Sequence, residues 1–394
     1  MEKLYYQDTY LKTAEVVVTA VRHTGKATEV QTDRTIFYPE SGGQPGDRGF
    51  LGSYSVLDTR KADDGDSVLI LEKDCPVSVG DSLVLSLDWG HRYRFMAMHA
   101  AQHMLSGLLF TNHQIGTVAV HQGEEYLTIE TDKAEISQET VDALVRAANQ
   151  AISEAHPIIY HEMSHKDAEA LGLRRSIKVE GDVRIVEIVG VDRIACGGVH
   201  VANTSEIRLI YSLGHEQIRG HVRLYFRCGE QAIESAIQNE KVIQGLNRRL
   251  SCKADELEGQ VEALQNALTE ARNARTQAYK ALALAEIKDA VDSYGFCSIV
   301  CEEGTDLLCY ANAVPTFEDL AMVVLCPDKG RTKWLIALKG RYESIDFNGL
   351  RKTLLSKINA KGGGRSPVFQ GVADCNDKQA LQDFIEEFRN TVLK

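Results

Sequence analysis

The chain has 394 residues, 44% hydrophobic and 25% charged, with a net charge of −12. That length predicts two to four domains, and the balance is that of a soluble globular protein. No run of eighteen apolar residues occurs, which excludes a membrane-spanning helix.

The first residues, MEKLYYQDTYLKTAEV, lack the basic and apolar regions of a secretory signal. Nine scattered cysteines without a CxxC pair suit a reducing compartment, so a cytoplasmic location is expected. Cys297 and Cys301 bracket SIV in an apolar run and read as buried thiols.

Residues 1–89 contain short strand patterns: EVVVTAVRHT, ATEVQTDRTIFYP, FLGSYSVLDTR, SVLILEK and SLVLSLDW. Gly, Asp and Pro clusters separate them, which predicts a small antiparallel sheet or barrel. Among them lies the glycine-rich PESGGQPGDRG, which turns alone would explain.

Residues 90–228 form a mixed α/β region with a mainly antiparallel sheet. Asp88 caps a predicted helix through HRYRFMAMHAAQHMLSGLLF. Met98, Ala101, Leu105 and Leu109 make one apolar stripe, with Met96, His99, His103, Ser106 and Phe110 on the adjoining face. VAVHQGEEYLTIE reads as strand, 138–154 as helix, and DVRIVEIVGV, IRLIYSLG and HVRLYFRCG as strands.

From 229 to 292 Pro is absent, and heptads run through Leu250, Leu257, Leu264, Ala271 and Ala278. They predict a coiled-coil hairpin or one long packed helix, with Gly245 or Gly259 offering a bend. Pairing of these heptads within one chain or between two, as a homodimer, is open. Residues 293–394 alternate strands (FCSIVCEE, AMVVLCP, KWLIALKG) with helices (FNGLRKTLLSKINA, KQALQDFIEEFRNTVLK). The segment from Lys329 to Arg365 carries about +8 inside an acidic chain, either a solvated face or a phosphate-binding surface. The whole reads as an α+β protein.

A four-residue helical step brings His99 and His103 side by side. CGGVH, residues 196–200, offers Cys196 and His200 around two glycines that permit a sharp turn. Three imidazoles and a thiolate favour one zinc ion per chain. A closed four-ligand set suits a structural ion, whereas catalysis needs an open position. Gln102 replaces the carboxylate of a zinc protease, which disfavours that mechanism.

HAAQH (99–103), CGGVH (196–200), FYPESGGQPGDRG (37–49) and HQGEE (121–125), in this order, resemble the editing domain of alanyl-tRNA synthetase and the free-standing AlaX alanyl-tRNA editing proteins. KGGGRSPVFQG (361–371) resembles the DHHA1 domain of the long AlaX form, which matches nearly the whole chain. The resemblance implies zinc-dependent hydrolysis, without ATP, of the ester in alanine tRNA charged with the wrong amino acid, chiefly serine and also glycine. It makes Thr35, Gly42, Gly43, Gln44, His121, Gln122 and Gly123 the substrate-binding candidates. Thr35 reads equally as an ordinary strand threonine. Lys361, Gly362, Gly363, Gly364 and Arg365 become candidates for RNA contact, with Glu124 and Asp192 as weak candidates for a base. Val199 and Ala100 stand where the family carries threonines. Two rival readings remain, a zinc-stabilised tRNA-binding module without catalysis and a threonyl-type editing deacylase.

Overall fold

The computed structural model describes residues 1–63, 65–177 and 181–394. It is an α+β structure in two compact units, Met1–Leu246 and Asn247–Lys394.

The first unit opens with a closed antiparallel barrel. Its strands are β1 (Thr13–His23), β2 (Thr28–Thr32), β3 (Gly49–Leu51), β4 (Tyr54–Lys61), β5 (Ser67–Leu71) and β6 (Ser82–Leu87). They close in the order β1-β2-β5-β4-β3-β6. Strand alternation decides what faces in: Val16 and Val18 are buried while Val17 is 40% exposed. With Val30, Leu51, Leu69, Leu71 and Leu85 they fill the barrel.

Helix α1 (Trp89–His113) follows, started by the Asp88 carboxylate accepting the His91 N–H at 3.1 Å. Almost its whole length is buried, since β7 (Thr117–Gln122), β8 (Leu127–Thr131) and α2 (Gln138–Ser153) pack around it. A three-stranded antiparallel sheet follows, β9 (Ile158–Ser164), β10 (Asp182–Ile188) and β11 (Asp192–Ala195). Strands β12 (Ile210–Ile218) and β13 (His221–Cys228) then complete a second antiparallel sheet in the order β12-β13-β8-β7. VAVHQGEEYLTIE is therefore a hairpin rather than one strand: the Gly123 N–H donates to Tyr126 O at 3.0 Å and turns the chain back.

The barrel is fastened to α1 by a buried ion pair. Arg92 Nε donates to Asp47 Oδ1 at 2.8 Å, and its other nitrogens reach Asp47 Oδ2 and the carbonyls of Thr9 and Ile36. Beside it, His91 Nε2 lies 3.0 Å from Gly46 O. Both contacts hold the loop after Gly43 against the first turns of the helix.

Helix α3 (Glu230–Leu250) ends at Ser251, whose φ of +54° is left-handed. The heptad pattern thus breaks there, at neither Gly245 nor Gly259.

The second unit contains α4 (Leu257–Ala290), on which Val261, Leu264, Leu268 and Leu282 are exposed. Its sheet holds β14 (Phe296–Val300), β15 (Leu320–Asp328), β16 (Arg331–Lys339), β17 (Ala360–Arg365) and β18 (Val368–Ala373), in the order β14-β15-β16-β18-β17. Only β14 and β15 run parallel. KGGGRSPVFQGVAD is the hairpin β17–β18 at the sheet edge. Cys297 is buried as expected, and Cys301 is half-buried.

Replacing Asp47 with Ala strands a fully buried guanidinium. The expected loss is about 3–5 kcal/mol of unfolding free energy, read by urea denaturation. A loss below about 1 kcal/mol would show that Asp47 does not fasten the barrel.

Candidate metal centre

His99 and His103 come from the middle of α1, and Cys196 and His200 from the loop after β11. The structure brings all four together, with one ligand atom from each lying within 4.8 Å of the others. Cys196 Sγ is 3.5 Å from His99 Nε2 and 3.9 Å from His200 Nε2. Tetrahedral zinc with bonds of about 2.0–2.3 Å separates its donors by about 3.3–3.6 Å, so the set is nearly the right size.

The loop reaches this geometry because residue 198 is glycine. A Cβ there would sit 2.2 Å from His99 Cε1, inside the ring's own space. Arg184 holds the loop's other side by donating to the carbonyls of Cys196 and Gly198, each at 2.8 Å. Its guanidinium lies between two aromatic rings, 4.8 Å from that of Tyr6 and 4.1 Å from that of Tyr160.

Electrostatics suit a cation bound by neutral imidazoles. Burial pushes His99 down to about 3, with Arg184 adding to the shift, and holds His103 and His200 well below the usual imidazole range. Burial also raises the Cys196 thiol, so the thiolate form needs a positive charge beside it. The Nδ1 atoms of His103 and His200 are buried without a hydrogen-bond partner in the described structure. The donor set fits a metal ion, and these four residues could hold one.

Neither weak candidate for a base is free. Asp192 is gripped by Arg174 at 2.8 and 3.0 Å, and its Oδ2 stands 3.9 Å from His103 Nδ1. Burial outweighs Arg174 and raises the Asp192 pKa while keeping His103 neutral, so their contact is not an ion pair. Gly107 admits Asp192 to this position, since a Cβ there would lie 2.6 Å from the Asp192 Cβ. Glu124 is on the surface, paired with Arg94 and, at 3.4 Å, with Arg48.

The Gly-Gly-Gln segment is a tight turn. Ser41 and Gln44 exchange backbone hydrogen bonds at 3.0 and 3.1 Å, and Gly42 and Gly43 between them have φ of +61° and +88°. Two consecutive left-handed residues make glycine the fitting choice at both. The turn sets Gln44, fully buried, against the cluster: its Oε1 lies 2.7 Å from His99 Nδ1 and 3.3 Å from the Val199 N.

The other substrate-binding candidates divide. Alternation along β7 puts His121 on the exposed face, where it lines a groove with Tyr126, Thr128, Arg223 and Tyr225, and turns Gln122 inward. Gln122 is 1% exposed with neither amide atom partnered. Thr35 is buried, and its Oγ1 accepts the Phe37 N–H at 3.0 Å, a local turn contact that suits its reading as an ordinary strand threonine. Val199 and Ala100 are both fully buried in the core around α1.

Alternation also divides KGGGR. Gly362 faces Trp334, where a Cβ would come within 2.8 Å of the indole, and a Cβ on Gly364 would meet Val368 O at 2.4 Å. Both positions are exposed, yet neither has room for a Cβ. Lys361, Gly363 and Arg365 share the opposite face, with open space around Gly363. The +8 segment is partly neutralised: Arg331, Lys333, Arg341 and Lys357 pair with Asp374, Asp328, Asp319 and Glu387. Lys361 and Arg365 have no acidic partner among the described residues.

Residues 183–225, which carry Arg184, Cys196 and His200, match the family described as Threonyl and Alanyl tRNA synthetase second additional domain. The alanyl-tRNA editing protein AlaX-L of Pyrococcus horikoshii is 27% identical, over 99% of both chains. By sequence, this chain is similar along nearly its whole length to proteins named as alanyl-tRNA editing proteins. Aarsd1 of Rattus norvegicus, also named an alanyl-tRNA editing protein, is 28% identical over 91% of this chain and 88% of its own. The alanine–tRNA ligase of Ignicoccus hospitalis matches 95% of this chain with 42% of its own length, at 27% identity.

Arg184, Arg174, Asp47 and Arg92 were not legible as site residues, because each acts on a partner far away in sequence or through a backbone carbonyl. Gly198 within CGGVH was the one local signal of close approach.

Changing Gly198 to Ala should displace His99 and reduce bound metal well below one ion per chain, measured by elemental analysis of purified protein. Gly197→Ala, whose Cβ would stand 3.4 Å from the Tyr6 hydroxyl, should retain it. Full metal content in Gly198→Ala would contradict the site.

Proposed function

We propose that this protein hydrolyses, in trans, the ester of alanine tRNA charged with the wrong amino acid, chiefly serine and also glycine. The carrying observation is the meeting of three segments, the Gly-Gly-Gln turn, the HxxxH helix and the CGGVH loop, at one buried point. Kinship over 99% of the length of AlaX-L supports the same reading.

His99, His103, Cys196 and His200 would hold one zinc ion, which when bound supplies Lewis acidity for an ester carbonyl or a water. The chain's residues do the rest. The buried neutral cluster excludes bulk water, and Arg184 holds the Cys-Gly-Gly loop in place through the carbonyls of Cys196 and Gly198. Glu124 and Asp192 are both engaged with arginines, which supports a mechanism without a side-chain base. An aminoacyl ester is already activated, so moderate help suffices.

Selectivity for serine needs a buried polar group that alanine leaves unpaired. Gln122 meets that description, since its dry amide costs about 1–3 kcal/mol until something pairs with it. Residues 1–89 and 90–228 would then supply the chemistry, 229–292 a helical connector, and 293–394 tRNA affinity through Lys361 and Arg365. Cytoplasmic action follows from the substrate.

Purified protein should deacylate seryl-tRNA(Ala) and lose that activity on chelation. Gln122→Leu should lower seryl hydrolysis about 10-fold or more relative to glycyl hydrolysis, and Thr35→Val should lower both alike. Protein that carries metal, binds the tRNA and deacylates nothing would instead support the binding module without catalysis.

Each phosphate contact adds to the salt dependence of binding. Replacing Lys361 and Arg365 with Ala should raise KM, flatten the salt slope by about 1–2 and leave kcat nearly intact. An unchanged salt slope would remove the hairpin from the RNA surface.

A further inference from the structure

The side chain of Gln44 is fixed at one end and unused at the other. A backbone N–H can only donate, so the amide atom that meets the Val199 N–H must be the oxygen. The same oxygen lies 2.7 Å from His99 Nδ1 and can only accept there. His99 therefore carries its proton on Nδ1 and keeps the lone pair on Nε2. That Nε2 is the atom 3.5 Å from Cys196 Sγ. One peptide N–H of the CGGVH loop thus sets, in two steps, which imidazole nitrogen of the helix is available to a metal.

The far end of the amide is the second observation. Gln44 Nε2 is buried with no hydrogen-bond partner. It cannot exchange places with Oε1, because Val199 would then face a second donor. Two N–H groups have no partner among the described residues, beside the ligand loop, where a Cβ on Gly198 would stand 3.1 Å from Oε1. An unpaired buried donor of this kind can serve an arriving acceptor.

We propose that Gln44 does two things. Through Oε1 it is a positioning residue that selects the metal-binding nitrogen of His99. Through Nε2 it donates to the carbonyl oxygen of the bound aminoacyl ester. The second role rests on the deacylase reading; the first does not. In the reaction, water oxygen bonds to the ester carbon and the π pair moves onto the carbonyl oxygen, where the Gln44 N–H meets the growing negative charge. The pair then returns, the bond from carbon to the ribose oxygen breaks, and that oxygen leaves with its pair and takes a proton from the added water. The products are the free amino acid and the tRNA hydroxyl.

Two substitutions separate the roles. Gln44→Glu keeps an oxygen toward Val199 and His99 but replaces the N–H donor. Gln44→Leu removes both. Zinc affinity of the full chain, read by competition with a chromogenic chelator, should fall about 10–100-fold in Gln44→Leu and stay near the original in Gln44→Glu. The kcat for seryl-tRNA(Ala) should fall about 10²–10³-fold in Gln44→Glu with little change in KM. Histidine ¹⁵N spectra of the metal-free, unsubstituted chain should show His99, assigned by its loss in His99→Ala, as the Nδ1–H tautomer; this holds even if a variant fails to fold. An Nε2–H tautomer, or unchanged zinc affinity in Gln44→Leu, overturns the positioning role. Wild-type kcat in Gln44→Glu overturns the donor role. Absence of deacylation by the unsubstituted chain, together with weakened zinc binding in Gln44→Leu, overturns the functional reading and leaves the positioning role standing.

Discussion

The buried pair between Arg92 and Asp47 sets the register on which the site depends. Arg92 and His99 are seven residues apart, two helical turns, and so lie on the same side of α1. Asp47 and Gln44 are three residues apart on the loop laid against that side. Fixing Asp47 to Arg92 therefore delivers Gln44 to His99. A buried ion pair contributes little net stability against an apolar substitute, yet removing one partner is costly. Its effect is to exclude other placements of the loop.

The second constraint is dryness. The three histidines are buried, and that burial holds their imidazoles neutral. Neutral nitrogens and a thiol that ionises only beside a cation are a poor constellation for proton transfer and a good one for a soft divalent ion. The same enclosure gives weight to each remaining polar atom. Gln44 Nε2, on the side chain that meets His99, is buried without a hydrogen-bond partner among the described residues.

Much of this was legible in the sequence because it is local. Helical spacing placed His99 beside His103, Asp88 marked the start of α1, and two adjacent glycines announced the turn before Gln44. The barrel followed from short alternating strands between turn residues. What escaped was set by pairing across distance. HQGEE read as one pocket-lining segment, but the hairpin turn and strand parity send His121 outward and Gln122 inward. KGGGR read as one RNA-contacting run, and all of it but the half-buried Gly363 is exposed, while a Cβ at Gly362 or Gly364 would meet the partner strand. The excess charge of its region shrinks because the acids that neutralise it, Asp319, Asp328, Asp374 and Glu387, lie outside the segment. Arg184 gave no local sign, since its role is to hold two carbonyls in the next strand's loop.

The central claim is that three segments build one metal site from three imidazoles and one thiolate. X-ray absorption at the zinc edge of the purified full-length protein tests it most directly. The account predicts one sulfur at about 2.3 Å and nitrogen or oxygen neighbours at about 2.0–2.1 Å, with the outer-shell signature of imidazole rings. A spectrum without sulfur, or with a shell of six oxygens, would contradict it.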